Sequence, residues 1–340
     1  MLRGVGLLLM VVDHSYDWWL VKADNVGTWG NATEFIGTLA APTFFVLVGV
    51  SMSLATDSYL TRGMTPWETI GLFTRRGLTI GLWGYAVNLL VFFEGNNWRD
   101  LLAFDVLQCI GLSMVLFGPL AVVAPNWTYP LLALAAGWGG QFADRLELSG
   151  YLGTIINGSP PIAYFPLLPW LCFVPLGMVW GLALVRWREH RVNLNRTTIG
   201  LLLSGVIALI ATTYVDPGLG YRHPYLISVL FDWTVITILN SLLYASCLTL
   251  SGRLALGWLR DMGQETLLLY IVHHLVGFRF FRLIGWVKGR SWRGQFGTMG
   301  VRQATLLLLG FVGILYLITR VWMDWKSKNP VIRKVSDALL

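Results

Sequence analysis

The sequence contains few charged residues. Asp, Glu, Lys and Arg make up 13% of its 340 residues, whereas 55% are hydrophobic. Soluble domains carry roughly 25% charged residues, and the mean hydropathy of this chain is +0.62. A soluble fold with this composition would have too little polar surface to face water. The sequence therefore predicts a membrane protein with several apolar helices embedded in lipid.

Paired cysteines and a cleavable signal sequence are both lacking. Cys109, Cys172 and Cys247 lie inside apolar runs and show no C-x-x-C spacing, so neither a disulfide framework nor a cysteine zinc site is predicted. Asp13 and His14 interrupt the first apolar run, and no A-x-A cleavage site follows it. We therefore expect the first helix to be retained.

The apolar runs predict an all-α polytopic protein with about ten transmembrane helices of ~20 residues each. The stretch from about 278 to 302 reads more like an interfacial amphipathic segment, so eleven spans are an alternative. We expect one transmembrane domain over residues 1–325 and a short basic tail over 326–340. The predicted spans are approximately 3–21, 35–56, 70–93, 102–123, 127–143, 161–185, 197–215, 225–250, 266–287 and 303–323.

The net charge of +7 is concentrated in short segments between the apolar runs. Arg75 and Arg76 lie near the link between the second and third spans, RWREHRVNLNR follows the sixth, and the tail contains Lys326 and Lys328. The positive-inside rule places such segments in the cytoplasm. We therefore predict that both termini are cytoplasmic. Membrane topology thus explains the excess of basic residues. We therefore expect contact with membrane lipids and no binding to nucleic acid.

Ionisable groups cluster on the first helix. A charge at the centre of a bilayer costs about 2.5–3.5 kcal/mol, so such residues usually face a polar cavity. Arg3 and His14 are eleven residues apart, which places them on one helix face roughly 16 Å apart along the axis. His14 and Asp17 can touch at i, i+3, and a carboxylate would fix the tautomer of the imidazole. Asp13 points elsewhere, and a polar cluster that only packs helices is the alternative interpretation.

Other candidates lie further along the chain. Arg75 and Arg76 are either topological anchors or a phosphate clamp, since the guanidinium fork matches phosphate oxygens. Gln108 needs a partner within the membrane, which is either a neighbouring helix or a ligand. His273 and His274 diverge by about 100° on a helix and no H-x-x-x-H pattern accompanies them, so we expect no metal. One of these two histidines is a candidate to line the cavity of His14.

Together these segments resemble a known family. RGVGLLLMVVDH fits the Arg-x10-His signature on the first helix of membrane acyltransferases. LAAPTFFVLVGVSMSLA, VLQCIGLS, PPIAYFPLLPWLCFVPLGMVWG and QETLLLYIVHH follow it. They come in the order seen in bacterial proteins that resemble the heparan-α-glucosaminide N-acetyltransferase catalytic domain. The resemblance covers about residues 2–275.

The resemblance implies an enzyme of the bacterial inner membrane. It would transfer an acyl group, usually acetyl from acetyl-CoA or from another acyl-CoA, to a hydroxyl or amine of a sugar or glycan. Donor and acceptor would approach from opposite sides of the membrane. The identity of the acceptor and the oligomeric state are left open, with a homodimer as one alternative.

The resemblance also implies roles for individual residues. The lysosomal branch has its proposed catalytic histidine in the loop after the first helix, where LVKADNVGTWGNATEF has none, so the role passes to His14. General-base catalysis and an acyl-histidine intermediate both remain open. We expect Asp17 to orient His14, Arg3, Arg75, Arg76 and Gln108 to bind acyl-CoA, and Asp13, His273 and His274 to contact the acceptor or an oxyanion.

Two other classes of protein compete with this interpretation. A transporter or a lipid or glycan flippase could use intramembrane His, Asp and Arg residues as a proton relay, although no inverted repeat is visible in the sequence. A structural membrane subunit is the third class, which the clustered ionisable residues disfavour.

Overall fold

The computed structural model describes residues 1–21, 28–93, 97–145, 148, 150–158, 162–190, 232, 235–236, 250–280 and 299–333. Within these residues every regular element is a helix, and the β contacts are two isolated bridges, Leu20 with Met299 and Phe104 with Ala163. The predicted all-α class is confirmed for this part of the chain. The predicted spans 197–215 and 225–250 lie almost entirely outside it, as do residues 281–298 and 334–340.

The described helices follow one another closely along the chain. Helix α4 continues into a π-helical turn, Asn88–Phe92, and α13 continues into another, Leu275–Phe280. The helices are α1 Leu2–Trp19, α2 Thr28–Thr38, α3 Ala40–Thr61, α4 Pro66–Val87, α5 Trp98–Leu101, α6 Val106–Val123, α7 Thr128–Arg145, α8 Gly150–Asn157, α9 Leu167–Trp170, α10 Phe173–His190, α11 Leu250–Ala255, α12 Gly257–Gln264, α13 Thr266–His274 and α14 Val301–Lys328.

Four helical segments of the described chain are long and apolar enough to cross a membrane. They are Phe35–Thr61, Val106–Val123, Leu167–Arg186 and Val301–Lys328, and they coincide with the second, fourth, sixth and tenth predicted spans. The protein is therefore an integral membrane protein. The count of about ten spans and the cytoplasmic placement of both termini stay predictions.

The chain divides into two compact units. The first combines the two ends of the chain, Met1–Ala41 and Leu243–Leu340, and the second comprises Pro42–Leu242. In the first unit, α1 packs tightly against α12, because Gly4 has no side chain and a Cβ there would overlap the carbonyl oxygen of Leu259. The Tyr16 hydroxyl lies 2.8 Å from the Oγ1 atom of Thr305 on α14.

Buried carboxylates attach α14 to the junction between α12 and α13. The carboxylate of Glu265 accepts hydrogen bonds from Lys326 Nζ at 3.3 Å and from the indole N–H of Trp322 at 3.1 Å. Asp261 accepts from Arg320 at 3.3 Å and from its neighbour Arg260 at 3.0 Å. Because both carboxylates are buried, these charged hydrogen bonds hold one end of α14 in a fixed register.

Glycines bring helices together in the second unit. A Cβ at Gly49 on α3 would overlap the carbonyl oxygen of Val174 on α10, and a Cβ at Gly177 would overlap that of Val46. Small residues permit this close approach between membrane helices. Outside the spans, Thr65 caps α4. Hydrogen bonds from its backbone N–H and hydroxyl lower the pKa of the exposed Glu68 carboxyl.

Candidate functional site

Three histidines meet within the first unit. His14 comes from the fourth turn of α1, and His273 and His274 are the last two residues of α13. His273 and His274 are buried, whereas His14 is half-buried. The apolar run TLLLYIVHH forms a helix in which the histidines end the regular turns, and the backbone then widens into the π-helical turn. Such π-bulges occur frequently at functional sites.

Hydrogen bonds fix the orientation of the three rings. The Nδ1 atom of His273 lies 3.2 Å from the carbonyl oxygen of Leu269, and the Nδ1 atom of His274 lies 3.0 Å from that of Tyr270. The Nδ1 atom of His14 lies 3.1 Å from the Nε2 atom of His273. One chain of contacts therefore runs from the α13 backbone through His273 to His14.

This chain of contacts determines which nitrogen carries each proton. A carbonyl oxygen only accepts, so the Nδ1 atoms of His273 and His274 must donate. In the neutral ring of His273 the Nε2 atom is then an acceptor, and the Nδ1 atom of His14 donates to it. The Nε2 atom of His14 is left with a lone pair, which is the state that a general base requires.

Aromatic rings surround the three histidines. The ring of Trp18 stacks on that of His14 with centroids 5.0 Å apart, and the ring of Phe278 lies 5.3 Å from that of Trp18. The ring of Tyr270 lies 4.6 Å from that of His274. Sequence reasoning did not single out Trp18, Tyr270 or Phe278. Two of them could have been found from helical spacing. Trp18 is four residues after His14, and Tyr270 is four residues before His274, so each lies on the same helix face as its histidine.

The imidazole nitrogens are close enough to share one metal ion. One ligand nitrogen from each of His14, His273 and His274 lies within 4.8 Å of the other two. The divergence of neighbours on a helix predicts that His273 and His274 are not a chelating pair. That inference is corrected by the ring positions, because their centroids are 4.0 Å apart and His14 contacts both rings.

The other predicted residues of α1 have different surroundings. Arg3 is exposed, and a Cβ at Gly263 on α12 would lie 3.4 Å from the Cβ of Arg3. Its predicted role beside His14 stays a prediction. The carboxylate of Asp13 packs against Gly37 on α2 and points away from His14, as expected. The side chain of Asp17 is exposed. Its predicted pairing with His14 stays a prediction.

Arg75, Arg76 and Gln108 belong to the second unit. Both arginines are exposed on α4. Gln108 is buried and caps α6, because its Oε1 atom accepts from the backbone N–H of Asp105 at 3.2 Å and its Nε2 atom donates to the carbonyl of Ala103 at 3.2 Å. These bonds satisfy the amide within the protein. The predicted roles of Gln108 and of the two arginines in binding acyl-CoA stay predictions.

The apolar spanning helices define a helical integral-membrane protein, and the histidine cluster where α1 meets α13 is its candidate functional site. The chain belongs to the family described as heparan-alpha-glucosaminide N-acetyltransferase, catalytic, whose model matches residues 1–212. The predicted resemblance is thereby confirmed, and membership of this membrane acetyltransferase family indicates transferase activity. The matched region contains His14, whereas His273 and His274 lie beyond it. Comparison with curated proteins finds no match.

Proposed function

We propose that this protein transfers an acyl group, in the first instance acetyl, from acyl-CoA to a hydroxyl or amine of a sugar or glycan. Family membership supports the reaction class, and the lone pair on His14 Nε2 supports the mechanism. That lone pair is the observation on which the proposal depends most. A half-buried base that is held in one tautomer can take a proton from an acceptor without first reorganising.

The reaction then proceeds as a direct transfer. The Nε2 atom of His14 takes the proton from the acceptor hydroxyl or amine as its oxygen or nitrogen attacks the thioester carbonyl carbon. The tetrahedral intermediate collapses, the carbon–sulfur bond breaks, and the new ester or amide is released. The proton on His14 passes to the departing CoA thiolate, which restores the free base. His273 is a positioning residue in this scheme, since it holds the Nδ1–H of His14.

The tautomers also restrict the oxyanion candidates. With their Nδ1 atoms donating to backbone carbonyls, neutral His273 and His274 carry no hydrogen on Nε2 and cannot donate from that atom to an oxyanion. We therefore assign His273 to orientation and leave the oxyanion donor unassigned. Arg75 and Arg76 are proposed to bind the phosphates of acyl-CoA through their guanidinium groups.

Replacing His14 tests the proposal directly. We expect His14→Ala to abolish transfer from radiolabelled acetyl-CoA while the purified protein keeps its melting temperature in detergent to within a few degrees. His190→Ala is the matched control, because this histidine belongs to the second unit. Near-normal transfer by His14→Ala would remove the catalytic assignment. A wild-type protein that neither binds acetyl-CoA nor releases CoA would favour transport instead.

A further inference from the structure

We propose that His14, His273 and His274 together form a binding site for a divalent transition-metal ion, with Zn²⁺ as the ion to test. Three imidazole nitrogens, each from a different ring, lie within 4.8 Å of one another, so a small inward movement of the side chains brings all three to coordination distance of one ion. Zinc accepts imidazole nitrogen at about 2.0–2.1 Å.

The donor set selects the class of metal. Imidazole suits Zn²⁺, Cu²⁺ and Ni²⁺, whereas Mg²⁺ and Ca²⁺ prefer oxygen ligands. Three histidines with a fourth position left for water is an arrangement that zinc adopts in proteins. Because His14 is half-buried while His273 and His274 are buried, an ion can reach the cluster from the side of His14.

Two ligands are already oriented for coordination. The Nδ1 atoms of His273 and His274 donate to the carbonyls of Leu269 and Tyr270, at 3.2 and 3.0 Å. A metal-ligating histidine usually donates its other ring N–H to a carboxylate, a carbonyl or a water, which fixes its tautomer. Here the carbonyls belong to the preceding turn of the same helix. Each of the two rings therefore carries its lone pair on Nε2, the atom with which it would coordinate an ion without a change in the backbone.

The third ligand requires one proton to move. In the metal-free cluster the Nδ1 atom of His14 donates to His273 Nε2 across 3.1 Å. When the ion binds, this proton moves to the Nε2 atom of His14, and the lone pair that this leaves on His14 Nδ1 binds the metal together with that of His273 Nε2. The ion thus replaces one hydrogen bond, and no net proton is released.

Occupation of the site has a consequence for transfer, which rests on the proposed function. A metal-bound His14 carries its remaining proton on Nε2, so it has no lone pair with which to act as a base. We therefore expect Zn²⁺ to inhibit acyl transfer and EDTA to restore it. Metal binding itself does not depend on the transfer reaction and can be measured without acyl-CoA.

The binding experiment uses the full chain, purified in detergent, stripped with EDTA and dialysed. We expect one Zn²⁺ per chain by elemental analysis after gel filtration, and a Co²⁺-substituted protein with a visible d–d absorption spectrum. Mg²⁺ should give neither result. His14→Gln and His274→Gln should each lower the Zn²⁺ affinity by at least about tenfold. His190→Gln and His223→Gln, the other two histidines of the chain, should keep the wild-type stoichiometry.

Each outcome decides one of the two proposals. Zinc binding that survives both cluster variants, or that disappears in His190→Gln or His223→Gln, would overturn the metal site. If a cluster variant fails to fold, the wild-type protein alone decides, because the absence of its Co²⁺ spectrum would also overturn the metal site. Cluster-dependent binding without inhibition would support the metal site but remove His14 from the transfer mechanism.

Discussion

His14 and His273 contact each other across 259 positions of the sequence, through a hydrogen bond of 3.1 Å. At the scale of single residues, the main question is which group orients His14, the proposed base. The sequence favours Asp17, which is three residues away on the same helix. In the structure the side chain of Asp17 is exposed, while the Nδ1 atom of His14 faces the Nε2 atom of His273. We therefore infer that His273 has the larger effect.

We predict that His273→Leu lowers the kcat of transfer by about one to two decades, because His14 loses the acceptor that holds its tautomer. His273→Gln should recover much of this loss, since the amide oxygen of glutamine can accept from the Nδ1–H of His14. A role confined to packing would not produce this recovery. The measurement is steady-state transfer with kcat and KM determined separately for both variants.

Asp17→Asn provides the comparison. We expect its kcat to stay within a few-fold of the wild-type value, because an exposed carboxylate has little influence on a base that is already oriented. If the kcat of Asp17→Asn fell by one or two decades while His273→Leu kept the wild-type kcat, the orienting role would return to Asp17.

The sequence identified the members of the cluster but could not show how they are arranged. His14 was found from its spacing to Arg3, and His273 and His274 were found as ionisable groups in an apolar run. Local periodicity describes neighbours on one helix, so it offered Asp17 as the partner of His14. The observed partners lie on α13, and no pattern within α1 encodes which face of another helix it meets.

At the scale of helices, the packing of α1 depends on a position without a side chain. A Cβ at Gly4 would overlap the carbonyl oxygen of Leu259, which is backbone and cannot rotate away. We predict that Gly4→Ala destabilises the protein by about 1–3 kcal/mol through overpacking. It should also lower transfer, because α1 carries His14. Thermal unfolding in detergent, followed by tryptophan fluorescence, measures the first effect.

Gly310→Ala is the matched control for Gly4→Ala. Gly310 lies in α14, and a Cβ there would meet no atom within 4 Å. Alanine has the higher helix propensity, so this variant should be as stable as the wild-type protein or slightly more so. Equal stability of the two variants would mean that α1 and α12 are not in close contact.

The ion pair between Glu265 and Lys326 tests the attachment of α14. The side chain of Glu265 is 6% exposed and that of Lys326 is 21% exposed. We predict that Glu265→Gln costs about 1.5–3 kcal/mol, because the charged hydrogen bond is lost and the ammonium group stays partly buried. Thermal unfolding of the variant and the wild-type protein gives the difference.

An exposed pair on the same helix serves as the control for Glu265→Gln. Asp324 and Lys328 have side chains 60% and 71% exposed, and such pairs contribute little because water screens them. We expect Asp324→Asn to change the stability by less than about 0.5 kcal/mol. If the two variants unfold alike, the buried pair does not anchor α14.

The boundaries of the helices could be predicted only in part. The predicted span 3–21 agrees with α1, but the span 102–123 began too early, since α6 begins at Val106. Asp105 and Gln108 form a capping box there, a pattern that the sequence displays as Asp-x-x-Gln. Residues 102–104 are apolar enough to look helical, yet the backbone of Phe104 forms its hydrogen bonds with another segment. The carbonyl of Phe104, for example, accepts from Tyr164 at 2.9 Å.

At the scale of the whole molecule, the chain ends build the histidine cluster together. His14 belongs to the first 41 residues of the first unit, and His273 and His274 belong to its second part, Leu243–Leu340. The family match ends at residue 212, so the partners of His14 come from outside it. The family match therefore covers His14 but not the two histidines that it contacts.

Recognition of the acyl-CoA donor also concerns the whole molecule. Two roles are possible for Arg75 and Arg76. They are exposed neighbours on α4, and both a topological anchor and a phosphate clamp fit that placement. An anchor needs only positive charge, so lysine should replace arginine at both positions without effect. A clamp uses the planar guanidinium fork against phosphate oxygens, which lysine reproduces poorly.

We predict that the double variant Arg75→Lys, Arg76→Lys inserts with unchanged topology but has a several-fold higher KM for acyl-CoA. Its kcat should change less, because the nucleotide lies far from the reacting carbonyl and contributes mostly uniform binding. The measurement is a steady-state titration of acyl-CoA on both proteins. Accessibility of single cysteines placed in the tail and between the spans checks the topology and the predicted cytoplasmic termini. An unchanged KM would return both arginines to the role of anchors, and the phosphates of the donor would have to bind elsewhere.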